Sequence, residues 1–110
     1  MGKQYKEMAD VELVDLVDLI HPPVYERRAL KAGVAIKFGQ VAKLEADGTL
    51  NVAATGETPY GIACETAEAG TYATVLIHGT CKASKVLVGS AAITDADVKL
   101  LKAEGVYVLN

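Results

Sequence analysis

Tryptophan is absent from the 110 residues, phenylalanine occurs once and tyrosine five times. So sparse an aromatic set removes the stacking platforms that hold single-stranded nucleic acids or line sugar clefts, and leaves the core to Val, Leu, Ile and Ala. Positive charge is also short. The 11 Lys and Arg face 14 Asp and Glu, a net charge of −3, whereas affinity for phosphate backbones comes from clustered basic residues. Nucleic acid is not an expected partner. No apolar run approaches the roughly 18 residues that a membrane span needs, so no membrane partner is expected either and the protein should be soluble. There is no basic stretch leading into an apolar segment and a cleavage site, and synthesis and use inside a cell is the expectation.

Cysteine is limited to Cys64 and Cys81, which form no CxxC pair. A disulfide between them and a metal site completed by His78 are both conceivable on residue type. Their spacing is unlike that of zinc ligands and both sit at apolar, strand-like positions, so the reading adopted is two reduced, metal-free thiols acting as small hydrophobes. Catalytic patterns are missing as well: the chain has no glycine-rich phosphate loop, nucleophile elbow or paired-carboxylate motif. His78, at the end of an apolar run before Gly79, is read as a polar structural residue. No catalytic residue, cofactor or metal is expected, and the chain is read as a building or binding module, not an enzyme.

What is present is 51% hydrophobic residues against 23% charged, enough for one folded domain. The central stretch is Pro59-Tyr60-Gly61-Ile62-Ala63-Cys64-Glu65, a short polar turn ending in Gly70, and Thr71-Tyr72-Ala73-Thr74-Val75-Leu76-Ile77-His78-Gly79. Its β-branched and aromatic content predicts two antiparallel strands bounded by glycines. Upstream, Asp47-Gly48 predicts a hairpin between two short strands, and residues 34–39 and 40–44 read as strand segments broken by a bend at Gly39. Residues 80–88 are of mixed strand and loop character. Thr94 is a helix N-cap followed by acidic residues, Ala96, Leu100 and Ala103 share a face, Gly105 stops the helix, and Val106-Tyr107-Val108-Leu109 resumes as a strand. The expected class is α+β, mainly β: a small antiparallel sheet or barrel-like domain over residues 29–110 with one short helix near its C-terminal end.

Residues 1–28 read as a separate arm or helix with a proline linker. Glu12, Asp15 and Asp18 recur every third residue among aliphatics, a helical period over residues 10–20, and His21-Pro22-Pro23 would end it. Its apolar face is covered either by its own domain or by another subunit or partner, and composition does not separate the two. After the prolines, Val24, Tyr25, Arg27 and Arg28 place the one local concentration of positive charge beside an aromatic. The arginines are a solvated rim or, as Arg often is at interfaces, bidentate partners for carboxylates, which makes these four the candidate contact residues.

Taken together, the Pro59-Tyr60-Gly61-Ile62-Ala63 run, the Thr71 to Gly79 run and the terminal Leu100-Leu101-Lys102-Ala103-Glu104-Gly105-Val106-Tyr107-Val108 resemble the head decoration proteins of tailed bacteriophages, the family of the lambda capsid-stabilising protein. The likeness spans about residues 30–110. It implies a β-rich homotrimer on the outer surface of an expanded capsid, made in the host cytoplasm and partnered by the major capsid protein lattice and by its own copies, and on that reading Val24, Tyr25, Arg27 and Arg28 are the candidate capsid contacts. The chain differs from the pattern in its longer N-terminal segment and in Thr80-Cys81, where related chains carry an acidic residue. Two other readings are a small-molecule-binding β-barrel module and a subunit of a cellular assembly that shares the fold.

Overall fold

The runs around Ile62 and Leu76 form the middle of the structure, a computed structural model that describes residues 17–18 and 23–109. Strand β5 (Gly61–Ala63) lies antiparallel to the long β6 (Tyr72–Lys82), with Ile62 opposite Leu76 and Ala63 opposite Val75. On the far side of β5 runs β3 (Val41–Leu44), which turns through Asp47 and Gly48 into β4 (Leu50–Val52) as the Asp-Gly signal requires. Asp47 secures that turn by accepting hydrogen bonds from the Thr49 amide and hydroxyl. On the far side of β6, β2 (Val24–Ala29) pairs antiparallel along its whole length.

The chain then closes on itself. Leu30, just past β2, bridges Leu50 of β4 in parallel, and the Lys31 amide donates to the Leu50 carbonyl at 2.8 Å. Strands in the order β4-β3-β5-β6-β2 thus make a ring, and an odd number of alternating strands can close only through a parallel contact. Inside so narrow a ring there is room for little more than Ala42, Ala63 and Ala73 with Leu30, Leu50 and Val75, and Ile36 and Ala67 close one end by exchanging backbone hydrogen bonds.

Side chains that alternate away from this interior are buried too. Val41, Ile62 and Leu76 point outward into a second cluster with Cys64, Cys81, Val86, Val88, Leu101 and Val106. Burial on both faces explains why Val41-Ala42, Ile62-Ala63 and Val75-Leu76 read as continuous apolar runs instead of alternating with polar residues. The cover is supplied by a 3-10 turn (Ala83–Lys85), the hairpin β7 (Leu87–Val88) and β8 (Ala91–Ala92), helix α1 (Asp95–Ala103) and β9 (Val106–Leu109).

Several expectations need correction. Strand β6 does not end at Gly79. Its register against β2 shifts between Leu76 and His78, leaving Ile77 as an extra residue, and the strand then continues to Lys82 between β9 and β1 (Val17–Asp18). The shift resets the facing of side chains, which is how Leu76 and Cys81, of opposite parity, reach the same cluster. The strand pairings β1–β6, β2–β6, β3–β4, β3–β5 and β5–β6 are antiparallel, as the expected mainly β class requires, and the final strand β9 adds a parallel pairing to β6 because α1 carries the chain back to the starting end before β9 begins.

The helix expected over residues 10–20 lies outside the described residues except at Val17–Asp18. Those two are strand, opposite Cys81 and Thr80, where the open edge of β6 outweighs the local period. The expected division at residues 28 and 29 falls inside β2, whose backbone is hydrogen-bonded to β6 throughout, so Val24–Ala29 belongs to the barrel and not to an arm. Residues 34–39 form a loop with a single bridge at Ile36, since they serve as the plug and not as a wall. On α1 the buried ridge is Asp97 and Leu101, one turn apart, while Ala96 and Ala103 face solvent.

Candidate functional site

The four candidate contact residues lie on β2 and fall into two sets. Tyr25 stands opposite Leu76 and packs against the outer cluster, so its ring is part of the core wall. Arg28 is committed within the molecule. Its Nε donates to the Glu26 carboxylate and to the Tyr60 hydroxyl, its NH1 group donates to the Gly48 carbonyl at 3.2 Å, and its guanidinium lies 5.5 Å from the centre of the Tyr60 ring. Tyr60 in turn donates to Glu26. The Tyr60 hydroxyl foremost, with help from Arg28, holds the Glu26 carboxyl below the usual carboxylate range, while burial foremost pushes the Tyr60 phenol up. This triad ties β2 to the β3–β4 turn and to the entrance of β5.

Val24 and Arg27 face solvent, Val24 at 47% exposure. Arg27 stands opposite Thr74, and its guanidinium lies 5.8 Å from the centre of the Tyr72 ring, one step diagonally along β6. Tyr72 is 56% exposed, the highest value among the large apolar and aromatic side chains turned outward, which also include Leu44 and Leu109. Sequence reasoning picked out Arg27 but missed Tyr72, because the register that brings them together is set by a pairing of segments more than forty residues apart. The arrangement of a cation beside an exposed aromatic ring supplies binding capacity.

Apart from this pair, an open cleft of about 310 Å³ lies between the β7–β8 hairpin and the start of α1, lined by Ala54, Val88, Gly89, Ala91 and Ala92 with Thr55, Thr94 and Asp97 at its polar end. Asp97 is not available there as a ligand. Its carboxylate accepts from the Thr55 hydroxyl at 2.6 Å, the Gly56 amide at 2.9 Å and the Thr94 hydroxyl at 2.8 Å, and these bonds, the Gly56 amide first, hold its carboxyl below the usual range. It clamps the β4–β5 loop to the helix.

His78 is exposed, lies against Gly105 and meets Tyr107 edge-on at 6.5 Å, a packing role. Cys64 and Cys81 are free and buried in the outer cluster, where burial pushes both thiols up to about 12. Among the described residues no group of His, Cys, Asp and Glu is placed to hold a metal ion, and no helix is long and apolar enough to cross a membrane. No protein-family model matches the chain, and no curated protein matches it.

Proposed function

We propose that this chain is a structural protein that attaches as a homotrimer to the outer surface of a tailed-phage capsid and stabilises the expanded shell. It acts there by binding, without catalysis or a cofactor, and its partners are the major capsid protein lattice and its own copies. It is made in the host cytoplasm and carried on the virion. The observation that carries this reading is that the three runs on which the resemblance rests are not scattered: they are β5, β6 and the end of α1 with β9, all joined through β6. That these runs fall in one connected structural unit supports reading the likeness over the whole domain.

Tyr72, 56% exposed and within cation–π distance of Arg27, supports a binding role for that part of the surface. Filling of the ring interior by Leu30, Leu50, Val75 and three alanines weighs against the small-molecule barrel, whose ligand would need that space. A cellular assembly would use the same surfaces and differs only in its partner.

Two measurements test the reading. Sedimentation equilibrium should give a trimer at concentrations on the order of 10 µM, the range of ordinary subunit association. Purified protein should then co-sediment with expanded heads assembled without a decoration protein and raise the temperature at which they lose their DNA. A monomer that ignores such heads would sink the proposal.

A further inference from the structure

We propose that the pair Arg27–Tyr72 is the main anchor of this attachment, and that it receives an Asp or Glu carboxylate projecting from the capsid lattice beside an apolar side chain. The inference rests on the capsid reading and names the chemistry of its contact. It starts from the difference between two neighbouring arginines. Arg28 turns its Nε to Glu26 and Tyr60 and its NH1 group to Gly48, so its side chain is held within the molecule. Arg27 donates no side-chain hydrogen bond to, and forms no ion pair with, any described residue, and its guanidinium meets the Tyr72 ring. The acidic residues that adjoin it in the sheet register are already engaged. Glu26 holds Arg28 and Tyr60, and Glu65 accepts from the amide of Thr74, the residue opposite Arg27.

A guanidinium 5.8 Å from the centre of the Tyr72 ring is within cation–π distance, and its fork of N–H donors has no partner among the described residues. That fork matches a carboxylate in bidentate geometry, which a lysine ammonium does not. Both residues stand on hydrogen-bonded strands in fixed register, Arg27 opposite Thr74 and Ala29 opposite Tyr72, so the pair is preorganised and little ordering entropy remains to be lost on binding. Tyr72, more than half exposed, offers the apolar area that surrounds such a contact when it is desolvated, and Arg and Tyr are among the residue types that dominate interface energetics. Charge selects the partner further. With a net charge of −3 the chain repels phosphate and extended acidic surfaces alike, so a single carboxylate set in an otherwise neutral or apolar surface is the anion it accepts.

The test uses the full chain and expanded, undecorated heads, with binding read by co-sedimentation for the unchanged protein and for Arg27→Ala, Arg27→Lys, Tyr72→Ala and the double alanine variant. Arg27→Ala and Tyr72→Ala should each weaken attachment by roughly tenfold or more. The double variant should lose little beyond the single ones, since the residues act as a unit. Arg27→Lys keeps the charge and the aliphatic stem, so a loss with Lys reports the missing fork and not misfolding; binding equal to the unchanged protein would overturn the bidentate assignment. Amidation of capsid carboxylates with carbodiimide and methylamine should bring the unchanged protein down to the level of Arg27→Ala and leave that variant unaffected. If the unchanged protein binds heads and the alanine variants bind within twofold of it, this inference fails while the capsid reading stands. If the unchanged protein does not bind at all, both fall.

Discussion

Asp97 is a carboxylate held 5% exposed at the first turn of a helix, and its burial is tolerable only because the Thr55 and Thr94 hydroxyls and the Gly56 amide all donate to it. Replacing it with Ala strands those donors as well as losing the bonds, so Asp97→Ala should lower unfolding stability by about 2–4 kcal/mol. The same bonds set a pH dependence. Because its folded pKa is depressed, Asp97 binds fewer protons in the folded chain than in the unfolded one. Its stabilisation is therefore complete above the unfolded value near 4 and is lost as pH falls through the lower folded value. Glu26, Asp47 and Glu57 are also held low and add to the trend with the same sign. Urea midpoints for wild type should drop between about pH 5 and about pH 3, and those of Asp97→Asn, lower at neutral pH, should fall less steeply and converge with wild type. Parallel curves would mean that Asp97 does not titrate with folding. The buried thiols give a separate test. With Cys64 and Cys81 pushed up to about 12, a colorimetric disulfide reagent at neutral pH should label both only as fast as the protein opens, and rapidly after denaturation. Immediate labelling of either in the native protein would contradict its burial.

The β7–β8 hairpin, too short to hold its own shape, depends on the bend at Gly39. There the Leu87 amide donates to the Gly39 carbonyl at 2.8 Å, and the Gln40 side-chain amide donates to the Gly89 carbonyl at 2.7 Å. Gly39 has φ +86°, and a Cβ placed on it would lie 2.2 Å from the Lys85 carbonyl oxygen, so backbone would have to move. Gly33 has a similar φ of +78° but open space around it. Gly33→Ala should therefore cost only the left-handed strain, about 1–2 kcal/mol. Gly39→Ala should cost clearly more, about 3 kcal/mol or above, and loosen the hairpin from the barrel. Thermal unfolding of the two variants measures the difference, and amide exchange at Leu87 locates it. Equal losses would show that strain alone decides both positions.

At the scale of the whole molecule, the two clusters described draw on residues 25–108, and the closing contact of the ring is Leu30 on Leu50. A chain lacking residues 1–16 should unfold within a few degrees of the full-length protein and, on the proposed function, keep its oligomeric state, while attachment to heads weakens if that segment contacts the shell. Each trimer would present three such segments, so a modest contact per copy multiplies into a loss on the order of 10² or more. Removing residues 1–18 additionally uncovers the β6 edge at Thr80 and Cys81 and should lower the unfolding temperature further. A chain that falls apart on loss of residues 1–16 alone would make that segment structural and end its assignment as an arm.

Local chemistry was enough to determine much of this architecture from the sequence. Asp47-Gly48 specifies its hairpin, Thr94 and Gly105 bracket α1, and the β-branched runs around Ile62 and Val75 become the paired strands, because turns, caps and strand propensity act over a few residues. Tertiary structure alone decided what depends on distant partners. Val17–Asp18 is strand because β6 offers it an edge, β2 joins the barrel because the ring needs a fifth wall, and Ala96 and Ala103 face water because Asp97 and Leu101 meet the sheet. The candidate site divides in the same way. That Val24, Tyr25, Arg27 and Arg28 form a basic and aromatic cluster is written in the sequence; that Arg28 turns inward to Glu26 and Tyr60 while Arg27 lies over Tyr72 follows from strand register, which no local signal encodes.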